Sequence, residues 1–190
     1  SWDIGIPEWG LITGYDNDTQ IFSALTVNAE KTQMPYKVLG KREIPILSVL
    51  TITGSTPKTN EDIFHDTMKL AVNHLKGKES CDNAMGLDAY LLFIKIFNEN
   101  PDIASSWNAE YFLGTYAALK KYAFRYFEKA KKLTLANIYK DVFKAWTEAF
   151  KIKTNKDAAL PEVRENIVSL LKSAYENELE AVRLMELLTT

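Results

Sequence analysis

The residues able to do covalent chemistry are few. The chain has one cysteine, Cys81, and two histidines, His65 and His74. Nucleophilic catalysis needs a thiol or hydroxyl, a base that takes its proton and a group that orients the base. Cys81 and His74 are the one thiol–imidazole combination a single loop could join. Cys81 is flanked by Glu79 and Asp82, and negative neighbours raise a thiol pKa and suppress the reactive thiolate. The pattern therefore reads as a cysteine between two helices and two ordinary helix histidines, with no complete catalytic site and no assignable catalytic residue. Metal chemistry is no better served. His65 and His74 do not share a helix face, and no HxxxH spacing occurs. Asp62 and Asp66 lie where a helix start favours acids. The eight glycines are scattered, so no phosphate loop forms, and no GxSxG elbow is present. Neither a metal nor a cofactor is expected.

Aromatic residues are the remaining resource. There are four Trp, nine Tyr and nine Phe. Aromatics at helical spacing are usually core, and Trp146, between Phe143 and Phe150, fits that reading. Trp107 is different. It follows Ser105-Ser106 and stands beside Asn108 and Glu110, at a helix N-terminus, where free amides and the positive end of the dipole favour anions. Trp107, Asn108 and Glu110, with Trp9 near the start, are the ligand-binding candidates.

Composition sets the bounds. With 46% hydrophobic and 12% aromatic residues among 190, the chain can bury a core. A net charge of −2 argues against a dedicated nucleic-acid binder. No apolar run reaches the ~20 residues of a membrane span. A single thiol fits a reducing, cytoplasmic setting, and Ser1-Trp2-Asp3 opens no signal peptide. Charge is uneven: residues 117–156 hold 11 Lys/Arg against 3 Asp/Glu, residues 59–112 hold 4 against 9, and residues 157–190 hold 3 against 7. Two readings are open, complementary faces within one bundle or a basic surface for an acidic partner or anionic ligand.

Residues 1–58 read as β. Trp9–Thr13 is a short strand ending at Gly14, Tyr15–Asp18 a turn cluster, and Gln20–Leu25 the returning strand of a hairpin. Ile44–Ile52 reads as the strongest strand. Residues 59–190 read as about five helices. The first opens at Thr59 with acids in its first turn and ends at Gly77. The second is capped by Asp82 or Asn83, carries Leu87, Leu91, Ile94 and Phe97, and breaks at Pro101. The third runs from Trp107 to Lys132 with Phe112, Leu119, Tyr122, Ala123, Tyr126 and Phe127 as its stripe. The fourth carries Leu135, Ile138, Tyr139, Val142, Phe143, Trp146 and Phe150, a clean 3.6-residue pattern. The fifth starts near Pro161 and runs through Val163, Ile167, Leu171, Ala174, Val182 and Met185. Short connections make neighbours antiparallel.

The segment Ile6-Pro7-Glu8-Trp9-Gly10-Leu11-Ile12-Thr13-Gly14-Tyr15-Asp16 resembles the central strand of papain-like domains of the C39-peptidase-like and butirosin-biosynthesis-protein-H-like type. The stretch Gly86-Leu87-Asp88-Ala89-Tyr90 and the helices after it look similar to the helical region of bacillus-type relatives. The resemblance implies a catalytic His before the strand and a cysteine on an N-terminal helix. The His position is Glu8 here, Asn28 is a rough match for the orienting residue, and the cysteine helix would lie upstream of Ser1. A Glu cannot serve as the imidazole base. The expected fold is thus α+β: a small antiparallel sheet, a partial papain-like half, followed by a helical bundle. The expected function is that of the C-terminal fragment of a papain-like acyltransferase or peptidase relative, completed by a missing N-terminal part and meeting an acidic carrier protein or small molecule. The alternative is a non-catalytic module that binds a small molecule or a protein.

Overall fold

The computed structural model describes residues 1, 4, 8–41, 47–78 and 83–189. They form an α+β protein with a three-stranded antiparallel sheet and a helical bundle. The chain separates into two compact units, Ser1–Pro57 and Lys58–Thr190, each with its own core. Cys81, Asp82 and residues 44–46 lie outside the described residues.

In the first unit β1 (Leu11–Asp16), β2 (Ile21–Leu25) and β3 (Lys31–Pro35) follow one another in the sheet. The hairpin is tighter than its sequence implies. β1 runs through Tyr15 and Asp16, which pair with Phe22 and Ile21. The Asp16 carboxylate ends the strand by accepting the amides of Asp18 at 2.9 Å and Thr19 at 3.1 Å. The register shifts between Ile12 and Gly14, leaving Thr13 as a bulge that bends and twists the strand. β3 has little to announce it, since Met34 is its one large apolar residue. Met34 pairs with Phe22 and joins Ile4 and Ala24 in a small core closed by Ile12, Val38 and Leu39. Gly10 permits that closure: a Cβ there would sit 2.4 Å from the Ile4 Cβ and 2.7 Å from the Leu25 carbonyl.

The strand expected over Ile44–Ile52 is not formed at residues 47–52, which are without regular structure. Leu50 is 79% and Ile52 88% exposed. β propensity describes how a side chain fits a half-buried pleat, and here no described strand lies alongside to supply the other half.

The second unit holds α1 (Asn60–Leu75), α2 (Gly86–Glu99), α3 (Pro101–Ser105), α4 (Trp107–Lys129), α5 (Leu133–Asn155) and α6 (Pro161–Leu187). Thr59 and Asp62 form a reciprocal capping box at the start of α1. Gly77, at φ 65°, ends it, with the amides of Gly77 and Lys78 returning to the carbonyls of His74 and Asn73, a Schellman closure. Met85, not Asp82 or Asn83, occupies the N-cap of α2. Pro101 starts the one-turn α3 with Asn100 capping it, so the expected break is a sharp corner. α4 packs along α5, α5 along α6, and α2 across α6.

Two expected stripes hold in part: Leu87, Ile94 and Phe97 of α2 and Ala123, Tyr126 and Phe127 of α4 pack against the cores. On α2, Leu91 is exposed, while Tyr90 and Phe97 are buried with Phe93 and Ile94 against them. On α4, Leu119 and Tyr122 face solvent and Phe112 is half-exposed against Phe93, while Ala109, Leu113 and Ala117, outside the expected stripe, are buried with Phe127. The α4 face that meets α5 needs small residues because the helices approach closely. A Cβ on Gly114 would come within 3.0 Å of the Phe150 ring. The α5 and α6 stripes bury Leu135, Tyr139, Val142 and Trp146, and Val163, Ile167, Leu171, Ala174, Val182 and Met185.

Gly86 fixes the approach of α2 to the end of α1. Its φ is 54°, and a Cβ there would lie 2.4 Å from the carbonyl oxygens of both His74 and Leu75. Strained backbone and overpacking each destabilise by ~1–3 kcal/mol, so Gly86→Ala should lose about 2–5 kcal/mol in urea melts. A loss under ~1 kcal/mol would show that the two segments are not held at this distance.

Candidate functional site

The most heavily buried chemistry in the helical unit surrounds Glu178. This carboxylate is 1% exposed. It sits in the apolar stripe of α6, one turn after Ala174 and one before Val182, so the helix period itself carries it into the core. Every neighbour is a donor. Lys120 of α4 donates from Nζ to Oε1 at 2.7 Å. The Tyr90 hydroxyl of α2 donates to Oε2 at 2.5 Å. Trp146 Nε1 of α5 donates in turn to Tyr90 Oη at 2.7 Å. Tyr139 of α5 faces the same carboxylate. One acid therefore ties together α2, α4, α5 and α6, and each polar atom of the chain Trp146–Tyr90–Glu178–Lys120 is satisfied.

Aromatic rings wall this network. Tyr90 meets Trp146 edge-on at 5.2 Å and Tyr175 at 6.0 Å, and Tyr116 lies 5.2 Å from Trp146. Burial, and then the Glu178 charge, push the Tyr90 and Tyr139 hydroxyls well above the ordinary phenol range.

The network is the floor of a cleft. A cavity of about 260 Å³ opens over Tyr90, Lys120 and Trp146, roofed by His74 and Asn83–Gly86. It shares Asn83, Ala84, Ala89, Phe93 and Tyr116 with a larger cavity of about 550 Å³ between α2 and α4, whose walls are Leu92, Ile96, Phe97, Ile103, Ala109 and Phe112. The two cavities adjoin at these residues, the larger one mainly apolar and the smaller one reaching the polar groups of Tyr90 and Lys120. The larger falls in the size range that holds small ligands, and few convergent polar groups on apolar walls are the usual make-up of such sites.

The residues singled out from the sequence are distributed as follows. Asn108 lines the larger cavity. Trp107 is exposed and stacks on Tyr111 at 5.2 Å. Glu110 turns inward, 3.7 Å from the buried Lys153 ammonium, which also donates to the Ser105 carbonyl at 3.3 Å. At the helix N-terminus expected to attract an anion, the Ser106 hydroxyl accepts the Ala109 amide. Glu8, Trp9 and Asn28 belong to the sheet unit. Glu8 is half-buried just before the half-exposed Trp9, and Asn28 is exposed in the turn between β2 and β3. Among the described residues no hydrogen bond or ion pair engages Glu8 or Asn28. His74 borders the smaller cavity, whereas its suggested partner Cys81 lies outside the described residues. Among the described residues no group of three or more His, Cys, Asp or Glu could hold a metal ion, and no helix is long and apolar enough to cross a membrane.

Sequence reasoning missed Glu178, Lys120 and Lys153. The signal was present, a charge standing at a core position of an otherwise apolar stripe. Compared with protein-family models, curated proteins and solved structures, the chain matches none.

Because the neutral phenols are favoured only in the fold, their contribution to stability is complete below the unfolded phenol value near pH 10 and fades as the pH rises above it. In an ultraviolet titration Tyr90 and Tyr139 should stay un-ionised while exposed tyrosines titrate, then ionise abruptly with unfolding. Ionisation of all nine tyrosines near pH 10 with the helices intact would contradict the buried network.

Proposed function

We propose that the helical unit is a non-catalytic binding module that takes a neutral, mainly apolar small molecule into the cavity between α2 and α4. The observation that carries this reading is the pair of adjoining cavities, one walled by Phe93 and Phe112 and one reaching Tyr90 and Lys120, which share Asn83, Ala84, Ala89, Phe93 and Tyr116. The floor charges already satisfy one another, 2.7 Å apart, so a charged ligand would find no counter-ion to claim. Apolar burial at about 25 cal/mol per Å² supplies the affinity, and Asn108 in the lining supplies a hydrogen bond for a polar end. Such a module fits a cytoplasmic protein.

A second reading is favoured by the exposed apolar segment Leu47, Val49, Leu50 and Ile52 and by Leu11 and Tyr15 on β1. These would be covered if the sheet unit were the C-terminal part of a papain-like acyltransferase or peptidase relative, joined to a missing N-terminal part that holds the cysteine, with the helices facing an acidic carrier protein. On that reading Glu8 stands in the His position. This chain purified alone should not turn over a generic thioester or peptide, and turnover abolished by Cys81→Ala would show that it carries its own nucleophile.

The binding reading is tested with naphthalene as the probe. Ligand-observed NMR should show saturable binding, and Ala89→Trp, which fills the stretch common to both cavities, should weaken it about tenfold or more without altering the circular dichroism. Unchanged binding in the filled variant, or none up to the solubility of naphthalene, would refute the site.

A further inference from the structure

The outer face of α4 is built like an interface, and no other described element of the helical unit covers it. Trp107, Tyr111, Tyr122, Arg125 and Lys129 recur at spacings of four, eleven, three and four, which at about 100° per residue places all five within one narrow stripe. Trp107 is 70%, Tyr122 68% and Tyr111 46% exposed. Leu119 flanks the stripe, also exposed. Trp, Tyr and Arg are the residue types that dominate binding energy at protein interfaces, and single surface aromatics are ordinary whereas an aligned row is not.

Charge divides the stripe lengthwise. Its first half is aromatic, and its second half is cationic and continues past the helix end into Lys131 and Lys132. Lys131 holds the left-handed position after α4, at φ 56°, where Gly77 stands at the end of α1. Elsewhere the bundle neutralises its own surface: on α5, Lys144 pairs with Asp141 at 3.5 Å and Lys151 with Glu148 at 3.7 Å. Among the described residues no ion pair engages Lys121, Arg125 or Lys129. Within the cation-rich stretch 117–156, Lys120 and Lys153 are drawn inward to Glu178 and Glu110, and the cations left along the outer side of α4 are Lys121, Arg125 and Lys129.

We propose that this stripe docks an acidic amphipathic helix of a partner protein, with apolar anchors over Trp107–Tyr122 and carboxylates over Arg125–Lys132. A helix is favoured because the stripe is straight and spans about 33 Å at 1.5 Å per residue, the length of some 20 helical residues. The surface is separate from the cavity between α2 and α4 and stands whether or not that cavity binds a ligand.

The test uses fluorescence anisotropy with a labelled synthetic helix of about 20 residues, Leu along one face and Glu clustered at one end. Two controls share its composition pattern: the same peptide with Lys for Glu, and a scrambled isomer. The acidic peptide should bind saturably, weaken at least about tenfold between low and physiological salt, and lose binding in the double variant Arg125→Glu/Lys129→Glu and in Trp107→Ala/Tyr122→Ala. These are exposed positions, so circular dichroism should be unchanged. Equal binding of the Lys peptide, binding insensitive to both double variants, or no binding at ~1 mM peptide would each overturn the proposal. So would concentration-dependent self-association, seen by sedimentation and abolished by Arg125→Glu, since that would make a second copy of this chain the occupant.

Discussion

A carboxylate at the centre of the helical core sets the terms for the rest of this unit. An unpaired ion there would be unfavourable by several kcal/mol after relaxation. Glu178 is tolerated because Lys120 and Tyr90 both donate to it, at 2.7 and 2.5 Å, and Tyr139 faces it. Satisfying one acid therefore fixes the lateral position of α2 and α4, the rotation of α5 and the register of α6. Apolar packing alone would tolerate small slides among these helices, and a shared acceptor does not. Trp146 extends the constraint, since its indole nitrogen completes Tyr90 while its ring packs on Tyr116.

The same constraint shapes the adjoining cavities. Tyr90 and Lys120 are held down toward Glu178, so the space above them is open and its floor is electrically closed. Phe93 and Phe112 stand 6.2 Å apart, nearly perpendicular, in the wall of the larger cavity. Gly86 lets the start of α2 lie against the last carbonyls of α1 and so brings the residue 83–86 segment over the opening. The part of α4 turned away from this arrangement has no role in the core, and its Trp107, Tyr111 and Tyr122 are exposed.

Much of the architecture was legible. α5 and α6 each bury one face and expose the other, so apolar residues recur at the helical period and are interrupted only by the buried charges Lys153 and Glu178. The capping box at Thr59 and the closure at Gly77 mark α1 at both ends. The second half of α4 was read correctly at Ala123, Tyr126 and Phe127, but the first half carries aromatics on both sides and buries Ala109, Leu113 and Ala117, where a search for bulky residues passes over the alanines. β3 is polar but for Met34, and Ile44–Ile52 has the composition of a strand with no described neighbour to pair with at residues 47–52. The candidate site was the least legible part. Asn108 was found from its place at a helix start. Glu178 and Lys120 were not, because a charge inside an apolar stripe reads as an interruption until two such charges, 58 residues apart, are seen to meet.

The central claim is that Lys120 and Glu178 are each tolerable in the core only in the presence of the other. A double-mutant cycle with Lys120→Met and Glu178→Leu, followed by urea denaturation at neutral pH, measures this directly. Each single replacement should lose about 3–5 kcal/mol, because it strands the opposite charge. The double replacement should lose less than the sum by ~2 kcal/mol or more. Losses that add to within ~0.5 kcal/mol would contradict the account, showing that the two charges do not depend on each other and that the helices are placed by apolar packing alone.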